Sequence, residues 1–171
     1  MNITKKHILL TSIDILKNEK ITDVTINDFC KASDIHKSTF YRHFDNKYDL
    51  LTAIIVYLIS LEFEESDSFV EQFTLFLCNN KKLLQHISPL KQDNKNTFNT
   101  MEQVLIESID QVINKEQNSN RLTPFILKAQ NNEGLRYVLM GMIIGVLKYC
   151  HKNNFNVEVT QLQEMMYFIE Q

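Results

Sequence analysis

An all-α fold is predicted, and three observations predict it. The 171-residue chain carries only 3 Gly and 2 Pro, so few turn formers that most of it must be helix. Apolar residues recur at helical spacing, as at Phe69, Phe73 and Phe76, which stand at i, i+4 and i+7. Residues 25–47, TINDFCKASDIHKSTFYRHFDNK, hold two short helical patterns that meet across a tight corner, the arrangement of a helix-turn-helix.

The elements follow in chain order. An amphipathic helix is expected over 3–18. Thr25 opens the next, over 26–32, as its cap, with Asp28 three residues on as a short capping-box partner and Phe29 and Ala32 facing inward. Asp34 stands at the corner. A third helix over 37–43 places Phe40 and Phe44, four apart, on its inner face and turns Lys37, Ser38, Thr39, Tyr41, Arg42 and His43 outward. Short polar and basic side chains outside and aromatics inside suit a helix lying in a DNA major groove. A long helix over 47–64 is apolar nearly all round between Leu50 and Phe63 and must be covered on more than one side. Further helices are expected over 68–80, 97–116, 122–130, 133–153 and 158–170, with Asn-, Gln- and Lys-rich loops over 88–96 and 114–120.

The run Thr39-Phe40-Tyr41-Arg42-His43-Phe44, followed by Asn46-Lys47 and Asp49-Leu50-Leu51, resembles the DNA-binding end of the TetR family of bacterial transcription regulators. The resemblance covers roughly the first 50 to 55 residues, including Ile8-Leu9 and Thr25-Ile26. It implies a three-helix DNA-binding domain over 1–48 and a helical dimerisation and effector-binding domain over 49–171, joined by the long helix whose tilt sets the separation of the two motifs in a dimer. The chain departs from the family pattern at Lys20 and Asp34, where glycine is usual, so two tight corners are made without the residue that most easily adopts positive φ. His36 stands where a serine or threonine usually caps the recognition helix.

Lys37, Ser38 and Thr39, at the start of the second motif helix, are the candidates for reading base edges. Thr25, Tyr41, Arg42, His43 and Lys47 are the candidates for phosphate contacts, the lysine reinforced by the start of the long helix. Phe73, Phe76, Met101, Leu105, Phe125 and Tyr137, with Met140, are the candidate lining of an interior that either packs as core or receives a small apolar or aromatic effector. Small residues four apart in the stretch 139–147 let another helix approach closely. With the last helix they resemble the family's four-helix dimer interface, which assigns Gly141, Ile144, Gly145, Leu162, Met166 and Ile169 to contacts between copies, a groove within one chain being the other reading.

Charge and chemistry bound the alternatives. The formal charge is −3, with 8 Lys+Arg against 7 Asp+Glu in residues 1–50 and 10 against 14 in the rest. So slight an excess makes DNA affinity depend on where cations sit and on a dimer doubling them. All three glycines lie in the last 40 residues, which leaves no Gly-rich phosphate loop upstream. Cys30, Cys78 and Cys150 are odd in number and widely spaced, and are expected to be reduced, buried thiols. Cys150 and His151 are adjacent and point ~100° apart on a helix, so they make neither a metal pair nor a nucleophile with its base. The five histidines lack an i, i+4 ligand partner, and Glu62, Glu64 and Glu65 read as a solvated helix end. No catalysis, cofactor or metal is expected. Lys5, Lys6 and His7 run straight into an amphipathic helix rather than a signal sequence, and the apolar run 50–61 is short of the ~20 residues that span a bilayer, so a cytoplasmic protein with no membrane partner is expected. The expected function is a homodimer on a palindromic operator in double-stranded DNA, a repressor released by a small effector. The alternative is a DNA-bound activator or adaptor whose C-terminal domain docks a protein.

Overall fold

The computed structural model describes residues 2–62, 69–87, 103–104, 106–108, 128 and 131–170, with the backbone alone at 69 and 168–170. The described residues are helical with no strand, as the composition predicts. The helices are α1 (Ile3–Leu16), α2 (Ile26–Ala32), α3 (Lys37–Tyr41), α4 (Lys47–Glu62), α5 (Phe69–Asn79), α6 (Lys81–Ile87), α7 (Glu133–Lys152) and α8 (Val159–Glu170). Of the helices expected over 97–116 and 122–130, only 103–104, 106–108 and 128 are described, all helical.

Each helix starts or stops for a local reason. The Asn2 side chain accepts the Thr4 amide at 2.8 Å and caps α1, whose Ile8, Leu9, Ile13 and Leu16 form one buried stripe. The corner after α1 is built from Asn18 and Glu19 amides on the Ile15 carbonyl and the Val24 amide on the Lys20 carbonyl. Lys20 does not adopt positive φ, so the missing glycine costs nothing there. Asn46 caps α4 by accepting the Tyr48 and Asp49 amides at 2.8 and 3.1 Å. Asn132 caps α7 through the Leu135 amide, Glu133 lies in its first turn and Lys152 in its last, each charge placed to complement the helix dipole.

Helix α6 departs from expectation, since the sequence marks only a boundary near residue 80. Asn80 makes it possible: its carbonyl accepts the Leu84 amide while its side chain bonds the Phe76 carbonyl and the Glu62 carboxylate, joining α5, α6 and the end of α4. Leu83, Leu84 and Ile87 are buried.

α1 packs against α2, α4 and α6, while α5 packs against α4, α6 and α8. α4 therefore touches both the N-terminal helices and the C-terminal body, which accounts for its apolar residues on several sides: Leu50, Leu51, Ile54, Ile55, Val56 and Leu58 are all buried. One connected apolar core runs from Ile8 through Phe29, Phe40 and Leu51 to Phe73, Ile143 and Met166.

Candidate nucleic-acid interface

The motif is shaped by two short-range devices. At the start of α2 the Thr25 amide and hydroxyl both donate to Asp28 Oδ2, at 2.9 and 2.6 Å, and these bonds, the hydroxyl's first, hold the Asp28 carboxyl below the usual carboxylate range. At its end the Ile35 amide reaches the Cys30 carbonyl at 3.0 Å and the Asp34 amide reaches the Lys31 carbonyl at 3.2 Å. That pair is a Schellman motif, and it requires a left-handed residue at Asp34, whose φ is 49°. Asp is among the few residues other than glycine that visit this region readily. The turn is further tied to α1, because Ser33 is buried and its hydroxyl lies 2.6 Å from that of Thr11, while its carbonyl meets His7 Nε2 at 3.2 Å.

Helix α3 then leaves the corner at a fixed angle. Its cap residue His36 has extended backbone but makes no capping bond with its side chain, and the helix still starts at Lys37. Anchorage comes from below. Phe40 is fully buried and Phe44 nearly so, with rings 5.5 Å apart, and the Lys5 ammonium sits 5.1 Å from the centre of the Phe44 ring. Nothing in the sequence pattern singles out Lys5; only a contact across the fold reveals it.

The outward face carries Lys37, Ser38 and Arg42, all exposed, with Thr39 and His43 partly covered. Tyr41 is 52% exposed and its ring is held edge-on by Phe40 at 5.6 Å. These six sit on one short helix and its first following turn. Thr25 stands apart at the start of α2, its hydroxyl already donating to Asp28 Oδ2.

Lys47 is placed differently from the open cation expected. Its ammonium donates to the Ile21 carbonyl at 2.7 Å and the Val24 carbonyl at 3.1 Å, bracing the α1–α2 connection against the start of α4. Two of its three N–H bonds are thereby occupied. Burial pushes its pKa down, opposed by the nearby Asp23 carboxylate. Next to this brace is a second link the sequence did not announce: His86, in the last turn of α6, bonds the Leu16 carbonyl through Nδ1 at 2.9 Å and accepts the Ile21 amide on its own carbonyl at 3.2 Å. Since a carbonyl only accepts, Nδ1 carries the proton.

Residues 18–54 match the family model described as bacterial regulatory proteins, tetR family. This segment of the chain is similar to the DNA-binding end of that family. The matched segment holds the whole of α2, α3 and the corner between them, which supports a DNA-binding transcription regulator with an N-terminal helix-turn-helix. No curated protein matches the chain. Among solved structures, the crystal structure of E. coli NemR in its reduced form aligns over 98% of this chain and 96% of that one, at 13% identity and a TM-score of 0.42.

Elsewhere the chain's other candidate residues do not all fall where expected. Phe73 and Phe76 are buried and stacked on each other, centroids 6.2 Å apart, whereas Tyr137 is 69% exposed and does not join them. Tyr137 instead lines an open groove of about 790 Å3 with Met140, Gln103, Ile106, Arg136 and Ile144. Met101, Leu105 and Phe125 lie outside the described residues. On α8, Leu162 and Met166 are 3% and 2% exposed and belong to the chain's own core, since α8 packs on α5. The outer face of that helix shows Val159, Met165 and Tyr167 instead, and the Ile169 side chain is outside the described residues. Gly141 and Gly145 are exposed, Gly141 as part of the lining of that open groove, and a Cβ built on either meets nothing within 4 Å among the described residues. No described helix is long and apolar enough to cross a membrane, and no group of metal-ligating side chains occurs among the described residues.

Proposed function

We propose that the chain acts as a homodimeric repressor on a palindromic operator. Residues 1–48 bind the DNA, residues 49–171 dimerise, and an effector releases the complex. Lys37, Ser38 and Thr39 read bases at the start of α3, while Tyr41, Arg42 and His43 meet phosphates, with the third N–H of Lys47 at the flank and Thr25, its donors held by Asp28, left to cap α2. The observation that carries this reading is the outward face of α3, polar and basic on a helix anchored by buried Phe40 and Phe44.

Dimerisation is supported by α7. Tyr137, Val138, Gly141 and Gly145 are exposed and Ile144 partly so, on a helix whose opposite side is core. An uncovered apolar helix face on a DNA-binding chain of near-neutral head charge fits a second copy, which doubles the phosphate contacts and matches a two-fold DNA site. Release follows from the two links into the reading head, α4 with its Lys47 brace and α6 with His86: a ligand preferring a C-terminal arrangement that shifts either link favours the DNA-incompetent spacing. A small apolar or aromatic effector suits the groove lined by Met140, Gln103 and Ile106, which a second copy on the Tyr137, Gly141 and Ile144 face would help to enclose, better than the stacked Phe73 and Phe76.

Selection of bound duplexes from a random pool tests the proposal. Enrichment of an inverted repeat whose half-sites repeat at about one helical turn supports it. Enrichment of a single unrepeated half-site, or of no sequence, overturns it.

A further inference from the structure

Two cysteines from distant parts of the chain open onto one small pocket. Cys78, in the last turn of α5, is exposed rather than buried as expected, and Cys150, in the last turn of α7, is buried. Both line a pocket of about 190 Å3 whose other walls include Leu77, Lys81, Phe155 and Leu162. Cys30 belongs to the helix-turn-helix and is buried there.

The pocket is held together by its back wall. α7 ends in a Schellman motif in which the Phe155 amide bonds the Cys150 carbonyl and the Asn154 amide bonds the His151 carbonyl, with Asn154 and Phe155 both left-handed at φ 51° and 55°. Two tethers tie that turn to α6: the Lys81 ammonium bonds Asn156 Oδ1, and Gln85 Nε2 donates to the Asn154 carbonyl at 2.7 Å. They fix the α5–α6 corner, with Cys78, against the end of α7, with Cys150. Burial and the neighbouring Cys78 push the Cys150 thiol up to about 11, so it stays protonated, while Cys78 is exposed and lines the same pocket, as does Lys81.

We propose that Cys78 and Cys150 form a thiol pair that hydrogen peroxide oxidises to an intrachain disulfide. The Cys78 sulfur attacks one peroxide oxygen, the O–O bond breaks, and the sulfur is oxidised to a sulfenic acid while the other oxygen leaves as water. The Cys150 sulfur then displaces the sulfenic hydroxyl, giving the S–S bond and a second water. Two thiols and one peroxide become one disulfide and two waters. The bond would join α5 to α7 across the pocket.

The test treats the full chain with equimolar hydrogen peroxide and counts thiols alkylated in denaturant, with peptide mapping of the linked pair. The expected result is a fall from three titratable thiols to one, a mass loss of two hydrogens, and a Cys78–Cys150 peptide. Cys78→Ser should keep both remaining thiols, and Cys150→Ala should leave a sulfenic acid on Cys78 that dimedone traps. Loss of only one thiol in the wild type, ending as sulfinic acid on Cys78, overturns the proposal. So does a Cys78 disulfide between two chains.

Discussion

Removing the Lys47 ammonium leaves the Ile21 and Val24 carbonyls without their donor at the junction of three helices. Lys47→Met should therefore lower stability by about 1–3 kcal/mol, read by denaturant unfolding, even in the absence of DNA. An unchanged midpoint would show that water replaces the brace without loss. Asp34 offers a second residue-scale test. Its left-handed backbone makes Asp34→Gly neutral to stabilising, by up to ~1 kcal/mol, and Asp34→Ala destabilising by about 1 kcal/mol, with thermal melting as the measure. Asp28 supplies a pH dependence. Folding lowers its proton affinity, so its contribution is present above its unfolded pKa and is lost as pH falls through the lower folded one. The bonds to Thr25 should fail below pH ~4, and Asp28→Asn should flatten that part of the melting profile. The Thr25–Asp28 box and the corner at Asp34 are legible in the sequence because both rest on neighbours in the chain. The burial of the Lys47 ammonium is not, because the two carbonyls that receive it lie 23 and 26 positions away.

At the scale of the element, α3 divides its outward residues into two classes that one experiment separates. Arg42→Ala should weaken binding to all sequences alike and reduce the salt slope by roughly one unit for each phosphate it no longer neutralises. Lys37→Ala or Thr39→Ala should instead change the preferred bases, at ~1–3 kcal/mol for each base edge no longer read. Identical preferences in wild type and both variants would move base reading off the start of this helix. The inner and outer faces of α3 were legible because Phe40 and Phe44 stand four apart. α6 was not, because seven residues give too little periodicity and its start depends on Asn80 reaching Glu62 across the fold. The α8 face was misjudged for a related reason: its apolar residues lie on both sides, and spacing alone does not say that Leu162 and Met166 meet α5.

For the whole molecule, the helical class and the helix-turn-helix were readable from turn-former scarcity and one 23-residue stretch, while the separation of Tyr137 from Phe73 and Phe76 was not, because it depends on how α7 rotates against the core. That rotation leaves Gly141 and Gly145 facing open space, which makes them a clean probe of assembly. A Cβ at either position meets nothing within 4 Å among the described residues of its own chain, so the fold should survive. In a close helix–helix contact between two copies a leucine there overpacks, at ~1–3 kcal/mol or more. Sedimentation of the wild type and of Gly145→Leu, with helicity followed by circular dichroism, decides the matter. The account predicts a wild-type dimer and an equally helical variant shifted toward monomer, with operator affinity falling alongside the assembly. A wild-type monomer, or a variant that remains a dimer and binds its operator as before, would contradict it.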